Sequence, residues 1–256
     1  MAIQLCKETG FHVAESIMFM VLCRQLELTG VIEMTKELFV QAIFKFFAGV
    51  VLLGLTLFLP AGTLHYWNAW LLMGILFVPM FLAGIIMMFK NPDLLKKRLN
   101  AKEKEAEQSL VIKLSGLMFI LGFVTAGLNF RFHWIDLPNW VCGTAAIVFL
   151  LAYALYAEVL RENVFLSRTI EVQENQTVID TGLYGIVRHP MYGVTIILFL
   201  AMPLVLGSLI SFAVFLVYPF IISRRIRNEE KVLEEGLAGY GEYKKRVKYK
   251  VIPFVW

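Results

Sequence analysis

The chain has 256 residues, of which 59% are apolar and 14% aromatic, and its formal net charge is +4. Soluble domains are usually only about 45–50% apolar, so this composition excludes an ordinary soluble protein and indicates an integral membrane protein with apolar spans of about 20 residues. Cys6, Cys23 and Cys142 are scattered without a CxxC pair, so we expect neither a disulfide framework nor a zinc or other metal site.

The first 33 residues predict an N-terminal extension rather than a span. Their apolar stretch, residues 11–23, is only 13 residues long and contains Glu15, which makes it too short to cross a bilayer. It also lacks the basic start and the small-residue cleavage site of a signal peptide. We interpret residues 1–33 as an interfacial helix; the alternative, that Met34 is the natural start, stays open at this point.

Residues 34–160 are predicted to hold four full transmembrane helices, at residues 38–59, 67–89, 110–130 and 140–160. Short loops with few charges join the first helix to the second and the third to the fourth. The loop at residues 90–109 instead carries six Lys or Arg side chains, so the positive-inside rule places it and both chain termini in the cytoplasm. Within that loop, Asn91-Pro92 predicts the start of a short amphipathic helix.

The last apolar run, residues 191–223, predicts a helical hairpin. Its 33 residues include no charged side chain, and one straight helix of this length would measure about 50 Å against an apolar bilayer core of about 30 Å. Pro203 and Gly207 lie near its middle, and Arg188 and Arg224 flank its ends. The run is therefore expected to enter and leave on the cytoplasmic side.

The fold class expected from these elements is all-α. It is a polytopic helical membrane protein with four full spans, a C-terminal helical hairpin and a cytoplasmic amphipathic tail that contacts the lipid surface. The chain is divided into the extension at 1–33, a four-span region at 34–160, and residues 161–256, which carry the candidate chemistry. In this last region, residues 162–180 form a polar, structured loop with a turn at Glu174-Asn175.

The start of the hairpin contains the first candidate site, Arg188-His189-Pro190 with Tyr192. Imidazole exchanges a proton near neutral pH, a guanidinium binds carboxylates, and a proline at the first helical position leaves backbone N–H groups that favour anions. The structural alternative makes Arg188 a membrane anchor, His189 a helix cap and Tyr192 an interfacial aromatic residue. Both interpretations remain open from these residues alone.

Arg225 and Glu229 form the second candidate site, because the hairpin should return them to the side of His189. They are spaced i,i+4 and share a helix face, and charges at the end of an apolar helix usually have a functional reason. The acidic residues that follow are interpreted as solvated surface charges: Glu230, Glu234 and Glu235.

Two segments carry a family resemblance, QTVIDTGLYGIVRHPMYG at residues 176–193 and RRIRNEEKVLEEGLAGYGEYKKRVKYKVIPF at residues 224–254. With Gln173, they resemble the C-terminal half of the isoprenylcysteine carboxyl methyltransferase family and its relatives among membrane phospholipid methyltransferases. The resemblance covers roughly residues 165–254. It implies an S-adenosylmethionine-dependent methyltransferase with a cytosol-facing site and a hydrophobic acceptor that enters from the bilayer.

The resemblance implies roles for the individual residues that match the motifs of the family. Arg225 would bind the polar head of the acceptor and His189 would act as a base if the acceptor is an amine. Glu229 would bind the cofactor's ammonium group. The full set implied to contact the cofactor is Gln173, Gln176, Thr177, Val178, Ile179, Tyr184, His189, Pro190, Met191, Tyr192 and Glu229.

The acceptor is open at this stage. A prenylated cysteine carboxylate would make the reaction an O-methylation, whereas a phospholipid or other amine would make it an N-methylation. A membrane NADPH-dependent sterol-type reductase and a non-catalytic lipid-binding protein are the alternatives from other classes. No nucleic-acid partner is expected, and the sequence does not indicate an oligomeric state.

Overall fold

The computed structural model describes residues 13–90, 92–99, 106–166, 170 and 172–256, with backbone alone for some of them, including 13–35. Over these residues the chain is helical and forms no β-strand, which confirms the all-α polytopic fold. The helices are α1 (Val13–Ala61), α2 (Trp67–Lys90), α3 (Pro92–Leu99), α4 (Ala106–Phe132), α5 (Asn139–Glu162), α6 (Pro190–Val205), α7 (Leu209–Phe215), α8 (Tyr218–Gly236) and α9 (Tyr240–Arg246), with a 3-10 turn at Gly182–Gly185.

Within the described residues, five stretches are long and apolar enough to cross a membrane. The first four match the four predicted spans to within a few residues, and α3 is the short helix predicted after Pro92. The stretches are Lys36–Ala61, Trp67–Lys90, Ser109–Phe132, Asn139–Glu162 and Leu209–Gly236.

Helix α1 runs without interruption from Val13 to Ala61. The chain separates into two compact units, residues 1–45 and 46–256, and α1 contributes to both. The predicted boundary at residue 33 therefore does not coincide with a helix end. The interfacial role of residues 1–33 stays a prediction, and residues 1–12 lie outside the described part of the chain.

Helices α1 and α2 pack as an antiparallel hairpin. Phe46 meets Phe77 with 5.6 Å between ring centroids, and Phe58 meets Trp70 at 4.8 Å. The connection turns at Gly62, whose φ of 70° lies in the left-handed region that glycine adopts without strain.

The predicted C-terminal hairpin is present as α6, a turn at residues 206–208, and a return arm made of α7 and α8. The Tyr66 hydroxyl donates to the Leu206 carbonyl at 2.5 Å, and the Leu137 N–H donates to the Gly207 carbonyl at 3.3 Å. The hairpin tip therefore lies beside the loops that join α1 to α2 and α4 to α5. Since α6 is about 24 Å long, the two outer ends of the hairpin lie at the opposite end of the bundle.

The hairpin is held by apolar packing against α4 and α5. α6 packs most extensively on α5, and on the α4 side Phe119 contacts Phe199 and Phe215 edge to face, at 4.8 and 5.5 Å between centroids. Such pairs stabilise a fold slightly beyond their buried area. This packing fixes the start of α6 and the charged end of α8 beside each other.

Candidate active site

A cleft opens where the outer ends of the hairpin meet the segments on either side of it. Its walls come from the end of α5 and the loop that follows, the 3-10 turn, the start of α6, the charged half of α8, and α9. The cleft contains about 850 Å³ of space, part of it open to solvent. The residues that line it are Asn163, Phe165, Leu166, Ile170, Gln176, Thr177, Val178, Ile179, Tyr184, Arg188, His189, Met191, Tyr192, Arg225, Glu229, Val232, Leu233, Leu237, Tyr240 and Tyr243.

The Tyr192 hydroxyl joins the two candidate sites found in the sequence. It donates to Oε2 of Glu229 at 2.5 Å and accepts from Nε of Arg225 at 2.9 Å. Tyr192 is buried, so it is not an interfacial aromatic residue. A carboxylate, a phenol and a guanidinium are thereby fixed in one wall of the cleft, where they can bind both a cationic and an anionic group.

The structure shows that the interpretation of Glu230 as a solvated surface charge was wrong. Its side chain is only 5% exposed. Oε1 accepts from Nε and Nη2 of Arg188 at 2.8 and 2.7 Å, and Oε2 lies 2.8 Å from Nζ of Lys250. A buried carboxylate requires such partners, and the sequence did not reveal them because Arg188 and Lys250 lie far from Glu230 along the chain.

Arg188 and His189 are tied to this buried carboxylate and to the C-terminal segment. Nε2 of His189 lies 3.4 Å from Oε1 of Glu230, and the His189 side chain makes no capping hydrogen bond at the start of α6. Nη1 of Arg188 donates to the carbonyls of Val247 and Lys248, at 2.6 and 2.8 Å. Arg188 is therefore a buried structural residue rather than an exposed membrane anchor.

Two further tyrosines, Tyr184 and Tyr243, also line the cleft. The Tyr184 hydroxyl accepts from Nδ2 of Asn163 at 3.0 Å, and the Tyr184 carbonyl accepts from the Tyr243 hydroxyl at 2.7 Å. Burial raises the pKa of Tyr243 to about 12 and raises the pKa of Tyr184 as well, an effect to which the Glu229 carboxylate adds. Both phenols therefore stay protonated at neutral pH.

The loop before the 3-10 turn is shaped by its two glutamines. Oε1 of Gln176 accepts from the Gln173 N–H at 2.9 Å, and Nε2 of Gln173 donates to the Phe165 carbonyl at 2.5 Å. The predicted turn at Glu174-Asn175 is present, with Asn175 at a φ of 58°. Asparagine tolerates this left-handed conformation better than most residues.

Most of the predicted site residues lie together in the cleft, but two do not line it. Gln173 holds the loop through Phe165, and Pro190 occupies the first turn of α6. Their roles toward a cofactor remain predictions, as do those of the lining residues. The described residues include no group of three or more His, Cys, Asp or Glu side chains positioned to hold a metal ion.

Several lining residues were not among the predicted ones. Tyr240 and Tyr243 belong to the YGEY segment, whose i,i+3 tyrosines on α9 could have indicated a shared face. Asn163, immediately after α5, gave no sequence signal because its contact with Tyr184 depends on the fold. The apolar lining from α8, Val232 and Leu233, is likewise visible only in the structure.

Comparison with known proteins finds a family match over part of the chain and a shared fold. Residues 144–235 match the isoprenylcysteine carboxyl methyltransferase family. A solved structure described as the eukaryotic intramembrane Ras methyltransferase, isoprenylcysteine carboxyl methyltransferase, without a monobody, covers 94% of each chain with a TM-score of 0.50 and 17% sequence identity. At that identity the structural match shows a shared fold.

A curated relative from another enzyme class also matches. The mouse Delta(14)-sterol reductase TM7SF2 is 32% identical over 91 residues, which make up 34% of this chain and 22% of the reductase. The chain therefore spans about a fifth of the length of that relative.

Proposed function

We propose that the chain is a member of the isoprenylcysteine carboxyl methyltransferase family, whose model matches residues 144–235, and that it uses S-adenosylmethionine to methylate the carboxylate of a hydrophobic, isoprenoid or lipid-like acceptor. The observation that carries this proposal is the Glu229, Tyr192 and Arg225 contact at the end of an apolar hairpin. There, groups suited to a charged cofactor lie next to helices suited to a lipid.

The cleft side chains fit this cofactor chemically. The Glu229 carboxylate is an acceptor for an ammonium group, and the rings of Tyr184 and Tyr192 suit a neighbouring sulfonium cation. Thr177, Val178 and Ile179 border the same cleft and would contact the adenosine part. When bound, S-adenosylmethionine supplies an electrophilic methyl group.

Arg225 would hold the acceptor carboxylate in line with that methyl group. Its Nε donates to the Tyr192 hydroxyl, which limits the rotamers of the guanidinium. The apolar side chains of Val232 and Leu233 line the same cleft and would exclude water from it. Alignment and desolvation are the main requirements for a displacement by a carboxylate, so this reaction needs no general base.

An amine acceptor would need a base, and His189 is the candidate in the cleft. Nε2 of His189 is directed toward Glu230, 3.4 Å away. This arrangement supports a positioning role for His189 and favours the carboxylate over the amine acceptor. Incubation with labelled S-adenosylmethionine and a membrane lipid extract is the experiment for the acceptor: we expect the label in a base-labile methyl ester, whereas a base-stable methylamine would indicate N-methylation.

The cofactor proposal is tested by calorimetry with adenosylhomocysteine on the detergent-purified protein. We expect Glu229→Gln to weaken binding at least tenfold, since a hydrogen bond to a charged group contributes roughly 1.5–3 kcal/mol. Glutamine can still accept from Tyr192, so the fold should persist. Glu234→Gln is the control, because Glu234 lies on the same helix but outside the lining of the cleft; equal affinity in both variants would remove Glu229 from the site.

The sterol reductase match supports one alternative, a membrane reductase that binds NADPH. The same calorimeter experiment with NADPH separates the two. If the protein binds NADPH but not adenosylhomocysteine, the reductase alternative replaces the methyltransferase proposal. If it binds neither ligand, the non-catalytic lipid-binding alternative is favoured.

A further inference from the structure

Tyr240 is a buried side chain whose polar atom lacks a partner. It lines the cleft and is 4% exposed, yet its hydroxyl makes no hydrogen bond within the described part of the chain. A buried hydroxyl without a partner destabilises a fold. Asn228 has the other unpartnered buried side-chain atom found there, but Asn228 does not line the cleft.

The neighbouring acceptors do not satisfy this hydroxyl. Glu230 is bonded to Arg188 and Lys250, and Oε2 of Glu229 accepts from Tyr192. Burial and the charges of Glu230 and Glu229 raise the pKa of Tyr240, so the hydroxyl keeps its proton and is a donor. Tyr240 and Glu229 line the same cleft, which is where the ammonium group would bind.

We propose that Tyr240 donates a hydrogen bond to the carboxylate at the amino-acid end of the bound cofactor. The inference rests on the proposed function, in which Glu229 binds the ammonium group of that same end. The ammonium and carboxylate groups are bonded to the same carbon atom, so a hydrogen-bond donor in the same cleft as Glu229 is suitably located for the carboxylate. Binding would then supply the partner that the hydroxyl lacks.

The test compares Tyr240→Phe with Tyr243→Phe. Both tyrosines lie on α9, are buried and line the cleft, but the Tyr243 hydroxyl already donates to the Tyr184 carbonyl at 2.7 Å. Without ligand, we expect Tyr240→Phe to retain or raise the thermal midpoint of unfolding, and Tyr243→Phe to lower it. A fall in the midpoint of Tyr240→Phe matching that of Tyr243→Phe would show a partner within the protein and overturn the inference.

Affinity is measured for adenosylhomocysteine and for 5′-methylthioadenosine, which lacks the amino-acid end. We expect Tyr240→Phe to weaken adenosylhomocysteine binding about tenfold and to leave methylthioadenosine binding unchanged. Unchanged affinity for adenosylhomocysteine would overturn the inference, because water would then satisfy the hydroxyl. An equal loss of affinity for both ligands would also overturn it, and neither result would affect the proposed function. If the unsubstituted protein binds neither ligand, the proposed function fails and the inference fails with it.

Discussion

Glu229 and Glu230 are adjacent in the sequence but have different partners. A helix rotates by about 100° per residue, so Glu229 reaches Tyr192 in the cleft while Glu230 turns inward to Arg188 and Lys250. Glu230 thereby joins the start of α6, the middle of α8 and the C-terminal segment. Its buried carboxylate is a structural centre that connects these three segments.

We expect Glu230→Gln to destabilise the protein by about 3 kcal/mol. The substitution keeps the shape of the side chain but removes the counter-charge of Arg188, and loss of one partner from a buried ion pair typically costs about 3–5 kcal/mol. The thermal midpoint of the detergent-purified variant measures this loss.

Glu234→Gln, one turn later on α8, is the matched control for stability. Its ion pair with Lys244 is exposed, with both side chains about 40% accessible, and such pairs contribute roughly 0–1 kcal/mol. Equal midpoints for the two variants would mean that Glu230 is not a structural centre.

At the scale of helices, α4 depends on a close approach to α1 at Gly127. A Cβ atom added there would lie 2.6 Å from the Leu57 carbonyl oxygen and 3.0 Å from Cβ of Pro60. Main-chain atoms cannot rotate away as a flexible side chain can. Gly127 therefore sets the distance between the two helices.

We expect Gly127→Ala to lower stability by about 1–3 kcal/mol, the usual cost of overpacking. Gly116→Ala is the control on the same helix, because a Cβ atom at Gly116 meets nothing within 4 Å. Alanine favours a helix over glycine by about 1 kcal/mol, so this control should keep or gain stability. The thermal midpoints of unfolding of the two variants measure this difference. A lower midpoint in both variants would indicate an effect on helix geometry rather than on packing.

The helices could be predicted from the sequence more fully than the contacts among their ends. Apolar length located the spans, and the 33 uncharged residues at 191–223 required a hairpin. That hairpin also predicted that Arg225 and Glu229 return to His189. The burial of Glu230 could not be predicted, because it depends on Arg188 and Lys250, which only the folded chain brings together.

The contacts of Tyr184 and the ends of the helices could not be predicted from the sequence either. The contact between Asn163 and Tyr184 joins segments on either side of a loop whose path has no sequence signature. The continuous helix through residue 33 was not expected, because its local apolar pattern is too short to indicate a span. Contacts between distant segments, rather than local patterns, decide these features.

For the whole molecule, the separation of the hairpin tip from the cleft has a consequence for charge. The hairpin tip, with the loops at residues 62–66 and 133–138, occupies one end of the bundle, and the cleft occupies the other. Residues 224–250, near the cleft, include nine Lys or Arg side chains, whereas the end of the bundle with the hairpin tip carries only Arg131 among residues 62–66 and 131–138. The positive-inside rule therefore predicts a cytoplasmic cleft.

This orientation can be measured with a membrane-impermeant maleimide on intact cells. Trp134→Cys and Glu242→Cys place single thiols at exposed positions of opposite ends, in a chain with Cys6 and Cys23 replaced by serine; Cys142 is buried. We expect Trp134→Cys to react in intact cells and Glu242→Cys to react only after permeabilisation. Labelling of Glu242→Cys alone would reverse the orientation and place the cleft away from cytosolic S-adenosylmethionine. Labelling of both variants in intact cells would contradict the placement of the hairpin tip and the cleft on opposite sides of the membrane.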